Sequence, residues 1–323
     1  MTFDLPPFFK RSAKHAITAA MADSMLIFDR NLVRRHRDRA AAHIDHSGFL
    51  FAESAARLVD RIDDTTRTFE LALDLGCRDG VMARALSGSA RVKLLVQCDL
   101  SAAMARRARA NHGLVFCADE EVLPVADGII DLVLSNLALH WTNDLPGALV
   151  QLRRALKPDG LLLASIFGGD TLSELRSCLL EAETRLTGGA SPRVSPFADV
   201  RDAGALLQRA GFALPVVDAD TIVVTYPDIF RLMADLRAMG ETNAVRERVR
   251  HPPPRELFAL AGQIYAERFA DSRGRLVATF QIVTLTAWTP HAGQPKALRP
   301  GSAAARLADA LGGNEVIIHG TKP

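Results

Sequence analysis

Cysteine is scarce in this chain: the four residues Cys77, Cys98, Cys117 and Cys178 among 323 leave no C-x-x-C spacing and no disulfide framework. A reducing compartment follows, with the cytoplasm as the default location. Long apolar runs are missing too, since no stretch approaches the roughly 18 continuous apolar residues of a membrane-spanning helix. Charge of one sign is not in excess: Lys plus Arg is 39, Asp plus Glu is 37, and the net is +2. Bulk charge therefore draws the chain neither to nucleic acid nor to an anionic membrane. The first 24 residues carry Lys10, Arg11 and Lys14 but lack the apolar core of about 7 to 15 residues that a secretory signal needs. What the chain has in quantity is apolar material, 48% hydrophobic against 24% charged, which is enough for a packed interior.

The pattern along the chain divides it into a leader at 1–26 expected to lack order, a helical extension at 27–66, an α/β core at 67–168, a second half with a helical cap at 169–290, and a loosely ordered tail at 291–323. From Ile27 to about Ile62, Leu32, Val33, Ala40 and Ala41 recur among Arg30, Arg34, Arg35, Arg37 and Arg39, which reads as one long helical stretch with a solvated basic face. Short apolar runs then alternate with helical stretches, the mark of βαβ units in a parallel sheet. The expected strands are 69–75, 92–98, 114–118, 130–135 and 160–167, with a helix over 145–156 stopped by Lys157-Pro158-Asp159-Gly160. Two more strands, 220–226 and 277–288, are rich in β-branched and aromatic residues. About 50 residues of helical pattern lie between them and could cap a site at the sheet edge.

Chemistry concentrates where these runs end. Leu73-Asp74-Leu75-Gly76-Cys77-Arg78-Asp79-Gly80 follows a strand and opens a helix, where glycine permits the turn and lets a ligand approach the backbone. Asp99 closes the next strand 19 residues beyond Gly80, placed to accept both ribose hydroxyls. Asp119 ends the third strand and could accept from an adenine amino group. The H-x-D at His43-Ile44-Asp45 lies in the helical extension and reads as a helix end rather than an iron site.

The segment from Asp74 to Gly80 resembles the D-x-G-x-G-x-G of class I S-adenosylmethionine-dependent methyltransferases. Ala118 to Pro124, Asp131 to Asn136 and Leu156 to Gly160 resemble that superfamily's later strand motifs. The resemblance implies a Rossmann-like seven-stranded mixed sheet and S-adenosylmethionine as cofactor. By it Asp74, Gly76, Cys77 and Gly80 surround the methionine part, Asp99 the ribose, and Asp119 with Glu120 the adenine, with Asn136 at the end of the fourth-strand motif. Arg78 replaces the motif's middle glycine, so its side chain must leave the pocket or crowd it and put positive charge beside a sulfonium.

Ile27-Phe28-Asp29-Arg30, Ala138 to Pro146, Phe167 to Leu172, Ser195-Pro196-Phe197 and Met233 to Asn243 look more narrowly like the respiratory complex I assembly factors that hydroxylate an arginine of an iron-sulfur subunit. That implies an iron-sulfur subunit as partner, a mitochondrial matrix location in a eukaryote, and membrane association only through the complex. The malonyl-carrier-protein methyltransferases of biotin synthesis are more distant cousins. Methyl transfer to a carboxylate or other small acceptor, and a non-catalytic assembly chaperone, are the other two readings. His140 and Trp141, past the fourth strand, lie where an acceptor would enter. Asp170 and Glu174, spaced i and i+4, would hold a substrate guanidinium from one helical face. No metal ligands are expected.

Overall fold

A strand covered on both faces can be aliphatic throughout, and that is how the central strands read. The computed structural model describes residues 26–111, 113–197 and 200–295, so the leader, apart from residue 26, and the tail beyond 295 lie outside the described residues. The chain divides into a unit at 1–290 and a second at 291–323. In the first unit, α1 (Arg30–Ala40), α2 (Ile44–Ser47) and α3 (Phe49–Asp63) precede β1 (Phe69–Leu75), α4 (Val81–Ala85), β2 (Val92–Asp99), α5 (Ala102–Asn111) and β3 (Leu114–Cys117). Then come β4 (Ile130–Asn136), α6 (Leu145–Ala155), β5 (Leu156–Phe167), α7 (Ser173–Thr187), α8 (Val200–Arg209), β6 (Ala213–Tyr226), α9 (Ile229–Met239), α10 (Arg255–Phe269) and β7 (Leu276–Trp288).

The seven strands order as β3-β2-β1-β4-β5-β7-β6, parallel except for β7, which runs antiparallel to both neighbours. Side chains alternate across the sheet with the strand period of two. Ala72, Leu132, Leu134, Leu161 and Leu163 pack with the side chains of α3, α7, α9 and α10, while Leu73, Leu75, Val133, Leu162 and Ala164 pack with α6 and α8 on the other face. Strand order reverses between β1 and β4, which opens a crevice at their carboxyl ends. The turn after β1 and the end of β4 are pressed together there. A Cβ on Gly76 would stand 2.2 Å from that of Ala138.

Four expectations need correction. The N-terminal extension is three helices, not one long stretch, because the chain turns between Ala40 and Ile44 and again at Gly48. Its arginines do not form only a solvated face: Arg37 is fully buried and Arg30 is largely so, both engaged by acids far along the chain. Lys157-Pro158-Asp159-Gly160 belongs to β5, which begins where α6 stops, with a register shift against β4 and Asp159 at φ +63 absorbing the irregularity. β6 begins at Ala213, not Asp220; as an edge strand bonded only to β7 it exposes much of its first half and so lacks an apolar run. The segment between β6 and β7 is helical as expected. α9 ends in a left-handed turn at Gly240, φ +79, which delivers Glu241 to the crevice.

Candidate active site

The turn after β1 is built from left-handed backbone: Gly76 at φ +75, Arg78 at +51 and Gly80 at +86. Gly76 and Cys77 both donate their N–H to the Cys98 carbonyl, fixing the turn against the end of β2. Asp99 is fully buried. Its carboxylate accepts from the Arg78 N–H at 3.0 Å and the Ser101 N–H at 2.7 Å, so the end of β2 and the turn are locked to one side chain. Asp74, one strand inward, is buried with neither carboxyl oxygen partnered among the described residues. Burial, reinforced by Asp99 and Asp79, pushes its carboxyl well above the usual range.

Three guanidinium groups enter this acidic crevice. Arg37 of α1 pairs with Glu120 and lies 3.5 Å from Asp99, while Arg30 pairs with Glu120 and Asp119 and donates to the Trp141 carbonyl at 3.1 Å. Burial alone would raise the Glu120 carboxyl, but Arg37 and then Arg30 hold it down to about 2. Glu120 thus ties α1 across the strand ends, and Asp38 adds to this by accepting from the Ser101 hydroxyl at 2.6 Å.

The third guanidinium is that of Arg78, the residue in place of a glycine. Its backbone keeps the conformation glycine would take, and its side chain is buried over the Phe51 ring, 3.7 Å from the centroid. There it donates to the Leu137 carbonyl at 2.8 Å and pairs with Glu241. The second Glu241 oxygen accepts from the Trp141 indole at 2.9 Å and lies 3.1 Å from His140 Nε2. Burial would raise the Glu241 carboxyl, yet Arg78 and then His140 bring it to about 2. Burial also lowers the His140 imidazole, keeping the ring neutral. His140 stands among Trp141, Phe167 and Phe197, with ring centroids at 5.4, 4.8 and 5.9 Å.

The family described as Methyltransferase domain matches residues 73–164, from the end of β1 into β5. The arginine-hydroxylase NDUFAF5, mitochondrial, of Danio rerio is 41% identical over 289 residues, covering 88% of this chain and 89% of that protein. The protein of the same name from Homo sapiens is 42% identical over 283 residues, 86% of this chain and 81% of that one. The chain belongs to the NDUFAF5 arginine-hydroxylase family, on a methyltransferase fold. A malonyl-[acyl-carrier protein] O-methyltransferase of Methylovorus sp. (strain MP688) is 37% identical over 282 residues, 84% of this chain and 92% of that one. Among solved structures, the YcgJ protein of Bacillus subtilis aligns with a TM-score of 0.52 at 15% identity, over 72% of this chain and 98% of that one; this likeness concerns the fold alone.

The donor set suits S-adenosylmethionine, the cofactor of the methyltransferase fold. Asp74 is a buried carboxyl without a partner among the described residues, which an ammonium group would satisfy. Asp99 makes one short bond per oxygen and keeps lone pairs for hydroxyls. Asp119 is part-exposed and bonds Arg30 and the Glu121 N–H through one oxygen, leaving the other for an amino group. Glu120, by contrast, is spent on two arginines of this NDUFAF5 relative.

The other residues singled out in the sequence fall in different places. Cys77 and Cys98 are buried at the strand ends, where burial pushes both thiols well up and disfavours thiolate chemistry; Cys117 is exposed. Asn136 donates to the Phe51 carbonyl at 2.8 Å and accepts from the Ser165 hydroxyl at 3.1 Å, holding α3 against β4 and β5. Asp170 and Glu174 do not share a helical face, because α7 begins only at Ser173. Asp170 accepts from the Gln281 amide, and Glu174 is bound to the backbone and hydroxyl of Thr279. Asp45 of the H-x-D pairs with Arg107. Arg30, Arg37 and Glu241 are the members that sequence reasoning missed. Glu241 lay within the quoted stretch Met233 to Asn243, but nothing in the pattern tied it to His140, 101 residues earlier.

Proposed function

We propose that the protein binds S-adenosylmethionine and hydroxylates an arginine of an iron-sulfur subunit during assembly of respiratory complex I. The observation that carries this reading is the 41–42% identity to proteins named arginine-hydroxylase NDUFAF5 across 86–88% of the chain. The site's chemistry supports it. Buried carboxylates in the crevice hold guanidinium groups in charge-assisted pairs, the interaction a substrate arginine would need. Asp74, Gly76, Cys77, Gly80, Asp99 and Asp119 would surround the cofactor, and His140 and Trp141 would meet the acceptor. Hydroxylation inserts one oxygen atom into an arginine C–H bond, so an oxygen-donating co-substrate enters the reaction beside the arginine.

Likeness to the malonyl-carrier-protein methyltransferase favours a second reading, methyl transfer to a carboxylate. Peptide mapping by tandem mass spectrometry of the iron-sulfur subunit from cells with and without the gene separates the two. An added oxygen on one arginine, lost on deletion, is the expected result; an added methyl group, or an arginine unchanged by deletion, refutes hydroxylation.

A further inference from the structure

Trp141 and His140 approach the same oxygen of Glu241, at 2.9 and 3.1 Å, while Arg78 holds the other. An indole N–H can only donate, and an ionised carboxylate can only accept. The imidazole must therefore bring its own proton to that oxygen on Nε2. His140 Nδ1 is then a bare lone pair, and it is buried with no partner among the described residues. Its side chain is 1% exposed and meets Phe197 edge-on, and Phe197 also lines a cleft of about 640 Å³ with Ile27, Gly169, Arg176, Pro196 and Val245. A buried acceptor left unmet is a feature a fold does not keep for stability.

We propose that Glu241 is a positioning residue: it holds His140 as the Nε2–H tautomer so that Nδ1 accepts a hydrogen bond from an N–H of the substrate guanidinium. This deepens the arginine reading above and rests on it for the identity of the donor. Arg78 completes the device. Without a cation on its other oxygen, Glu241 would sit buried between two neutral donors and would take up a proton, and a protonated carboxyl no longer dictates the tautomer. The charged groups facing His140 are Glu241, Arg78 and, more distantly, Arg37. The departure from glycine at position 78 thus has a counterpart 163 residues on, in the turn after α9.

Nitrogen-15 NMR of the imidazoles in the full chain at neutral pH tests this, with the His140 signals assigned by their loss in His140→Gln. The expected pattern is a protonated Nε2 and an unprotonated Nδ1. In Glu241→Gln the amide oxygen stays on the charged Arg78 and the NH₂ turns to the rings, so Nε2 must accept and the ring moves toward the Nδ1–H tautomer. A wild-type ring with Nδ1 protonated, or a Glu241→Gln ring unchanged, overturns the assignment; where that variant does not fold, the wild-type pattern alone decides. Titration with N-acetylarginine amide is expected to shift Nδ1 and leave Nε2 in place. No Nδ1 shift at any concentration overturns the substrate-facing half of the proposal. The tautomer stands or falls independently of whether the iron-sulfur subunit gains oxygen, so failure of this inference and failure of arginine hydroxylation are told apart.

Discussion

Replacing Arg37 with methionine removes the most deeply buried cation that fastens α1 to the strand ends. The shape is roughly kept, but Glu120 is left fully buried with Arg30 as its remaining counter-charge, and Asp99 loses a nearby positive group. Breaking one side of a buried ion pair costs about 3–5 kcal/mol. The pH dependence gives a second handle on the same energy. The Glu120 carboxyl falls from 4.5 to about 2 on folding, held down against burial by Arg37 and then Arg30. At 1.36 kcal/mol per tenfold that gap is worth about 3 kcal/mol. Because the folded value is the lower one, this stabilisation is complete above about pH 5 and drains as pH falls, with about 2 kcal/mol gone by pH 3. Urea unfolding of wild type and Arg37→Met at pH 7 and pH 3 should therefore show a deficit of about 3 kcal/mol that narrows in acid by at most about 2, since Arg30 keeps part of the Glu120 shift. Adding Glu120→Gln to the variant should recover part of the loss at pH 7, since the stranded charge is gone. A variant as stable as wild type at pH 7, or a deficit equal at both pH values, would refute a buried, ionised Arg37–Glu120 pair.

Further outcomes follow from the same geometry. Asp99→Ala should weaken S-adenosylmethionine binding by about 1–3 kcal/mol through lost charged hydrogen bonds, and unchanged affinity by calorimetry would remove Asp99 from the cofactor contacts. Gly76→Ala combines a positive φ with a Cβ 2.2 Å from Ala138 and should cost more than about 2 kcal/mol in chemical denaturation; a loss under about 1 kcal/mol would mean the two turns can part. Arg78→Gly relieves the left-handed backbone but strands Glu241, so it should destabilise by about 2–4 kcal/mol and lose much of that cost when combined with Glu241→Gln. Simple additivity of the two changes would show that the residues are not a coupled pair.

Much of the sheet was legible because inner strands such as β1 and β2 are self-contained aliphatic runs ending in glycine or an acid, as at Asp74-Leu75-Gly76 and Cys98-Asp99. The first half of β6 was not, because an edge strand bonded on one side can leave Val216, Asp218 and Asp220 to solvent. The acids at the strand ends could be read from their positions, but the role of the arginines could not. A stretch such as Arg30 to Arg39 has the composition of a wet helix face, and only partners 83 to 90 residues away in Glu120 and Asp119 turn two of its members inward. The Asp170 and Glu174 pairing failed for a local reason: Gly168 and Gly169 open a turn, and the helix begins three residues after Asp170. Glu241 shows the limit most clearly. Its chemistry comes from a helix end, a strand end and a glycine-loop arginine converging, which no spacing along one chain records.

The most direct test of the central claim is intact-mass spectrometry of the complex I iron-sulfur subunit, purified from cells carrying the gene, lacking it, and carrying Asp99→Ala. A gain of one oxygen present only with the intact gene, and diminished by the cofactor-site variant, is the predicted result. A gain of one methylene in place of the oxygen, or a mass indifferent to the gene, would contradict it.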